Sequence, residues 1–177
     1  MGTALVVYES MYGNTERIAR AVAEGLRDHV DVMVCEVGVA PDTLPAIELL
    51  VVGGPTHAFS MSRASTREDA ARSAARPVLS GRRGLREWIE GLAAPPSPVA
   101  VTAFDTKVAR PRLPGSAARA AARRLRQLGL RQVCPPESFH VQDREGPLAP
   151  GEVERAKAWG QGVARQWRRH GSSEYAG

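Results

Sequence analysis

The chain reads as a doubly wound α/β sandwich, on three observations. The segments Thr3–Tyr8, Ile47–Val52 and Val99–Phe104 are near-continuous apolar, β-branched runs of the kind found in strands buried on both faces. Stretches carrying one apolar stripe at helical spacing separate them. Strand and helix alternate in this way five times over 177 residues, which implies a parallel sheet covered on both sides.

Each element has its own signal. After the first strand, Ile18, Val22 and Leu26 recur every fourth residue and mark a helix with one buried face. Val30–Val37 alternates apolar and polar and reads as a second strand. Ile47–Val52 is the third, halted by Gly53-Gly54-Pro55. Residues 64–77 and 82–92 are predicted helical, the latter with Leu85, Trp88, Ile89 and Leu92. Val99–Phe104 is the fourth strand. Ser116 caps a helix through Leu128, which Gly129 stops. Strand character returns at Val133 and at Phe139–Val141, and residues 151–169 form the last helix. One domain over residues 1–170 is expected, with a polar, disordered tail over 171–177.

Composition removes several function classes. Hydrophobic residues are 43% and charged residues 24%, as in an ordinary soluble globular protein. A chain of this length buries roughly 70% of its unfolded surface and needs no disulfide or metal staple. No apolar run approaches the ~18 residues that span a bilayer, and Glu9 comes too early for a secretory signal, so no membrane insertion is expected. Cys35 and Cys134 stand alone, without neighbours at metal-ligand spacing. Reduced thiols and a cytoplasmic location follow as the expectation, with no metal site.

The net charge of +5 is uneven. Residues 1–60 hold three Arg and eight acidic residues, residues 61–134 fifteen basic and five acidic, and the remainder six of each. Solvated helix faces in an Arg-rich chain account for the basic middle most simply; a docking rim for an acidic redox partner or for the phosphates of NAD(P)H is the sharper reading. Aromatic residues are 5% and do not interleave with the arginines, so nucleic acid is not an expected partner.

In open α/β sheets ligands bind beyond the carboxyl ends of the strands, and there the sequence is most informative. After the first strand comes Ser10-Met11-Tyr12-Gly13-Asn14-Thr15, running directly into a helix. Hydroxyls, a glycine and the unpaired amides of a helix start make a phosphate cradle. The loop is neither G-x-G-x-x-G nor a P-loop, and no Lys or Arg lies inside it. Neutral donors alone suit a monophosphate ester.

S-M-Y-G-N-T after an apolar strand resembles the phosphate loop of the flavodoxin-like family, matching at Ser10, Gly13 and Thr15, with Tyr12 in place of the middle hydroxyl residue. S-M-Y-G is also similar to the tryptophan-repressor-binding-protein family of FMN-dependent quinone reductases. V-V-G-G-P-T-H at the third strand extends the likeness. The resemblance implies a five-stranded parallel sheet of order 2-1-3-4-5 and a non-covalent FMN. Its phosphate would lie on Ser10, Met11, Tyr12, Gly13, Asn14 and Thr15. Its ring would lie against Pro55, Thr56, His57, Ala58 and Phe59, and against Phe104, Asp105, Thr106 and Lys107.

Some of these residues keep two readings. His57 touches the flavin or is an ordinary loop histidine; Phe59 lines the ring or plugs the core beneath it. Lys107 stabilises the reduced, anionic ring or is a solvated charge. Neither ring loop carries the Trp and Tyr that commonly sandwich the flavin in electron-carrier flavodoxins. No side chain need act as nucleophile or base, and no catalytic residue is assigned. The leading function is electron transfer with a redox partner protein. The alternatives are an FMN-dependent NAD(P)H:quinone oxidoreductase, acting on small molecules, and a cofactor-free interaction module of the same shape.

Overall fold

A computed structural model describes residues 2–174, with side chains through His170. The strands are β1 (Thr3–Tyr8), β2 (Asp31–Glu36), β3 (Leu49–His57), β4 (Ser60–Met61), β5 (Ala100–Val108), β6 (Arg131–Gln132) and β7 (Glu137–Val141). The helices are α1 (Asn14–Leu26), α2 (Ala64–Ser73), α3 (Leu85–Gly91), α4 (Ala117–Gln127) and α5 (Glu152–Glu174). The sheet runs β2-β1-β3-β5-β6, with β7 beside the far half of β5 and β4 folded back on β3. Every pairing but β3–β4 is parallel.

The expected order 2-1-3-4-5 is therefore present, with the fifth strand in two pieces. β6 starts opposite Ala100 and β7 opposite Phe104. Cys134-Pro135-Pro136 falls between them, and two prolines cannot donate to a ladder.

Two apolar layers flank the sheet. One joins the inward faces of α1 and α5 to Val6, Val51, Phe104 and Phe139; the other joins α3 and α4 to Val7, Val52 and Val101. The first layer centres on Phe104, Phe139 and Trp159, whose rings meet edge to face at 6.0–6.2 Å. α1 and α5 cross closely because glycines face the contact. A Cβ on Gly25 would sit 2.1 Å from the Lys157 carbonyl, and one on Gly160 2.3 Å from that of Val22.

The structure corrects the bounds of five elements. β3 does not stop at Gly53-Gly54-Pro55 but continues to His57, paired with β5 as far as Pro55↔Thr106. Gly53 serves close packing, since a Cβ there would lie 2.0 Å from the Phe104 ring. Strand alternation turns the Pro55 nitrogen toward the side where β1 has already ended, so its missing N–H breaks no ladder bond. The fourth strand, expected to end at Phe104, runs on as β5 to Val108, because β7 pairs with Phe104–Val108. The helices expected over 64–77 and 82–92 shorten to α2 and α3. Between them Leu79 and Ser80 instead donate their amides to the Met11 and Ser10 carbonyls, at 3.1 and 2.8 Å. Lastly, α5 stays helical past residue 169 to Glu174, as Gly171-Ser172-Ser173 contains no proline to end it. The rest of the expected tail, 175–177, lies outside the described residues.

Candidate functional site

The carboxyl ends of β1, β3 and β5 close on one cleft with about 490 Å³ of empty space, counting its open mouth. Its walls are Met11, Tyr12, Asn14 and Thr15 from the β1–α1 loop, Pro55, Thr56 and His57 from β3, and Thr106, Lys107 and Val108 from β5. Val141 and Arg144 complete it from β7 and the turn beyond.

The β1–α1 loop is built around Ser10. Its buried hydroxyl accepts the amides of Gly13 (3.1 Å) and Glu16 (3.3 Å), and its own amide donates to Ser80 Oγ at 3.0 Å. Gly13 stands before α1 at φ +92°, a left-handed conformation that glycine takes without penalty. Nothing lies within 4 Å of where a Cβ would be. A helix start leaves four amides over. Ser10 takes those of Gly13 and Glu16, and the Arg17 amide makes the first helical bond to the Gly13 carbonyl (3.1 Å), which leaves the Asn14 and Thr15 amides for an anion. Thr15 Oγ1 lies 2.7 Å from Thr106 Oγ1, in a buried pair joining loop to β5. One proton serves that bond, so the accepting hydroxyl keeps its own proton to donate. Tyr12 lines the same cleft, and its Oη is buried without any protein partner.

The second wall is strained. Thr56↔Met61 and His57↔Ser60 pair across a two-residue turn whose central residues, Ala58 and Phe59, have φ +44° and +71°. Tight hairpins favour this geometry, but Asn-Gly is the usual sequence for it. Holding Ala and Phe there costs on the order of 1–2 kcal/mol per residue. Phe59 ends at the tip, 53% exposed, and plugs no core. His57 is half-buried, with Nδ1 3.3 Å from Thr66 Oγ1. Burial, then the positive fields of Arg144 and Arg67, depress its pKa to about 4, so it is neutral at pH 7.

Along β5 the side chains alternate in direction. Phe104 points into the core and is fully buried, so its ring cannot line the cleft. Asp105, also buried, turns the other way to hold the start of α4. Its Oδ2 accepts from Thr56 Oγ1 (3.1 Å), Ser116 Oγ (2.5 Å) and the Ala118 amide (3.0 Å). Asp105 is thus a helix-start anchor rather than a cleft residue. Lys107 Nζ reaches the carbonyls of Gly115 (3.0 Å) and Leu113 (3.4 Å), so part of its donor capacity ties down the 109–115 loop.

Of the expected site residues, the cleft gathers Met11, Tyr12, Asn14, Thr15, Pro55, Thr56, His57, Thr106 and Lys107. Ser10 and Gly13 shape the loop from behind, Ala58 and Phe59 form the hairpin tip, and Phe104 and Asp105 face elsewhere. Sequence reading missed Val108, Val141 and Arg144. The rule that strand ends carry ligands applies equally to the fifth strand, and Q-D-R-E-G-P follows it. Also missed was a buried network behind the loop. Glu9 accepts from Ser62 Oγ and, at 2.7 Å, from the Leu85 amide. Arg67 donates to Ser62 Oγ (2.9 Å) and to both Glu87 oxygens (3.1 and 3.2 Å). Arg67 is therefore not one of the solvated arginines. Burial pushes the Glu9 carboxyl above its ordinary range. At Glu87 burial pushes the same way, but the Arg67 guanidinium outweighs it and the carboxyl falls below its ordinary range.

Residues 6–76 match the family model described as flavodoxin. Over 95% of this chain and 98% of the other, flavodoxin 1 from Bacillus cereus superimposes with a TM-score of 0.65 at 14% identity. The chain has the flavodoxin fold. A flavodoxin, WrbA-like protein from Agrobacterium tumefaciens matches at TM-score 0.57 and 21% identity, covering 96% of this chain and 99% of its own. The flavodiiron protein of Giardia intestinalis matches at TM-score 0.57 and 18% identity, over 94% of this chain and 36% of its own. Curated proteins give no significant match.

The flavodoxin model matched by residues 6–76 implies a flavin, and the residues of the cleft can be tested against a phosphorylated one. Two free amides stand at the start of α1 with open space at Gly13, and Tyr12, whose Oη has no protein partner, lines the same cleft. Among the described residues no cluster of His, Cys, Asp or Glu could hold a metal ion, and no helix is long and apolar enough to cross a membrane.

Proposed function

We propose that the chain binds one FMN non-covalently in this cleft and passes electrons through it to a redox partner protein in the cytoplasm. The observation that carries the reading is the pair of unclaimed amides at Asn14 and Thr15, beside Gly13 and Glu16 amides that Ser10 already takes, in a cleft that Tyr12 also lines. Those donors would hold the phosphate, and Pro55–His57 with Thr106–Val108 would flank the ring. FMN supplies one- and two-electron redox chemistry when bound, and the protein's part is to orient the ring, shield it and leave one edge open.

A second reading, reduction of quinone-type acceptors by NAD(P)H, is favoured by the absence of tryptophan from the cleft walls. Trp88 is buried in the core and Trp159 stacks with Phe104 and Phe139, so neither covers a ring face from a small substrate.

Anaerobic mixing of the FMN-loaded protein with a chemical reductant, then with NAD(P)H and a quinone, tests both. Chemical reduction with no NAD(P)H consumption supports the carrier; steady NAD(P)H consumption supports the enzyme. Protein that never takes up FMN would instead be a cofactor-free interaction module.

A further inference from the structure

The turn between β7 and α5 forms a fourth wall, tied directly to the β1–α1 loop. Asn14 Nδ2 donates to the Glu145 carbonyl at 3.1 Å, and a Cβ on Gly146 would lie 2.8 Å from both polar atoms of the Asn14 amide. The turn is itself well bonded. The Gly146 amide donates to the Asp143 carbonyl (3.0 Å), the Gln142 amide to the Pro147 carbonyl (2.8 Å) and the Arg144 amide to Asp143 Oδ1 (2.7 Å). Arg144 is thereby held at the cleft, sharing its wall with Met11, Tyr12, Asn14 and Thr15. Its positive field is felt at His57 across the cleft. Among the described residues its guanidinium has no carboxylate partner. Asp143 and Glu145 flank it in sequence, but both are exposed and neither pairs with it.

We propose that Arg144 is the cation of the phosphate subsite, reaching from outside the β1–α1 loop to a flavin phosphate held by the Asn14 and Thr15 amides. The proposal rests on the FMN reading and goes beyond it, because it assigns discrimination between FMN and riboflavin to one side chain. A phosphate monoester carries a charge of about −1.5 to −2 at neutral pH, and neutral donors satisfy its hydrogen bonds without balancing that charge. A guanidinium does both, and its planar fork can meet two phosphate oxygens at once.

Flavin-fluorescence titrations of the flavin-free protein with FMN and, separately, with riboflavin test the assignment. R144Q should weaken FMN by roughly 10–100-fold and change riboflavin by less than about twofold, with an unaltered thermal midpoint because the residue is exposed. R144K should recover part of the FMN loss. The wild-type preference for FMN should shrink as salt rises from about 0.02 to 0.3 M, while that of R144Q changes little. Equal losses for both flavins in R144Q, or no loss for either, would overturn the role of Arg144 and leave the FMN reading standing. Wild-type protein that binds neither flavin would overturn the FMN reading and this proposal with it.

Discussion

The two sides of the β1–α1 loop are built on opposite terms. Behind it, Glu9 and Arg67 are almost fully buried, and their side-chain polar atoms other than Arg67 Nε have partners in Ser62, Leu85 or Glu87. In front, the Asn14 and Thr15 amides and Tyr12 Oη are left without protein partners. Buried charge survives behind the loop because it is bonded, whereas the donors left over in front are open to a ligand under the proposed reading. One side holds the loop still and the other offers it for use.

The largest effect should come from breaking the rear side. Arg67→Met removes a guanidinium that compensates Glu87 and bonds Ser62, and should cost about 3 kcal/mol of stability by urea unfolding. Asn14→Ala on the front should cost under ~1 kcal/mol of stability, since it loses one exposed bond to Glu145. If the front substitution unfolds the protein as readily as the rear one, the division of labour is wrong.

Next in size is the pH response, where the sides again oppose each other. His57 has its pKa depressed to about 4, so below its ordinary value near 6.5 the unfolded chain takes up a proton that the fold refuses. Its contribution is complete above pH ~6.5 and is lost as pH falls toward ~4, up to an order of 2–3 kcal/mol. Glu9 behaves in the reverse sense. Burial raises its pKa, so its contribution is present below the ordinary carboxylate value and is lost as pH rises through the folded value. Denaturant midpoints against pH for H57N and E9Q should each flatten one of these slopes, the first below pH 6.5 and the second above pH 4.5. An unaltered acid limb in H57N would show that the histidine is not desolvated as the cleft geometry requires.

The smallest expected change concerns the hairpin tip. Replacing Ala58-Phe59 with Asn-Gly keeps the turn and relieves its two positive φ angles, and should stabilise the fold by about 1 kcal/mol. A loss of stability would mean that contacts of Phe59 outweigh its backbone strain.

The sequence made the fold legible because each strand is buried and each helix carries one stripe. Tyr8 ended β1 where expected, and Ser116 and Gly129 bracketed α4. Gly53-Gly54-Pro55 misled because glycine that admits a neighbouring ring looks the same in sequence as glycine that breaks a strand. The β1–α1 loop and Pro55–His57 were readable as residues of one strand-end cleft, since local chain order alone brings them there. Phe104 and Asp105 were not, because their directions depend on the extension of β5, which only its pairing with β7 decides. The Glu9–Arg67 network joins residues far apart in the chain, so no local pattern announces it, whereas Arg144 follows a strand end and was open to the same rule as the other loops.

The most direct measurement is a crystal structure of the protein grown with FMN. The account expects the phosphate within hydrogen-bond distance of the Asn14 and Thr15 amides, with the ring between Pro55–His57 and Thr106–Val108. A phosphate bound away from the start of α1, or a flavin outside this cleft, would contradict it.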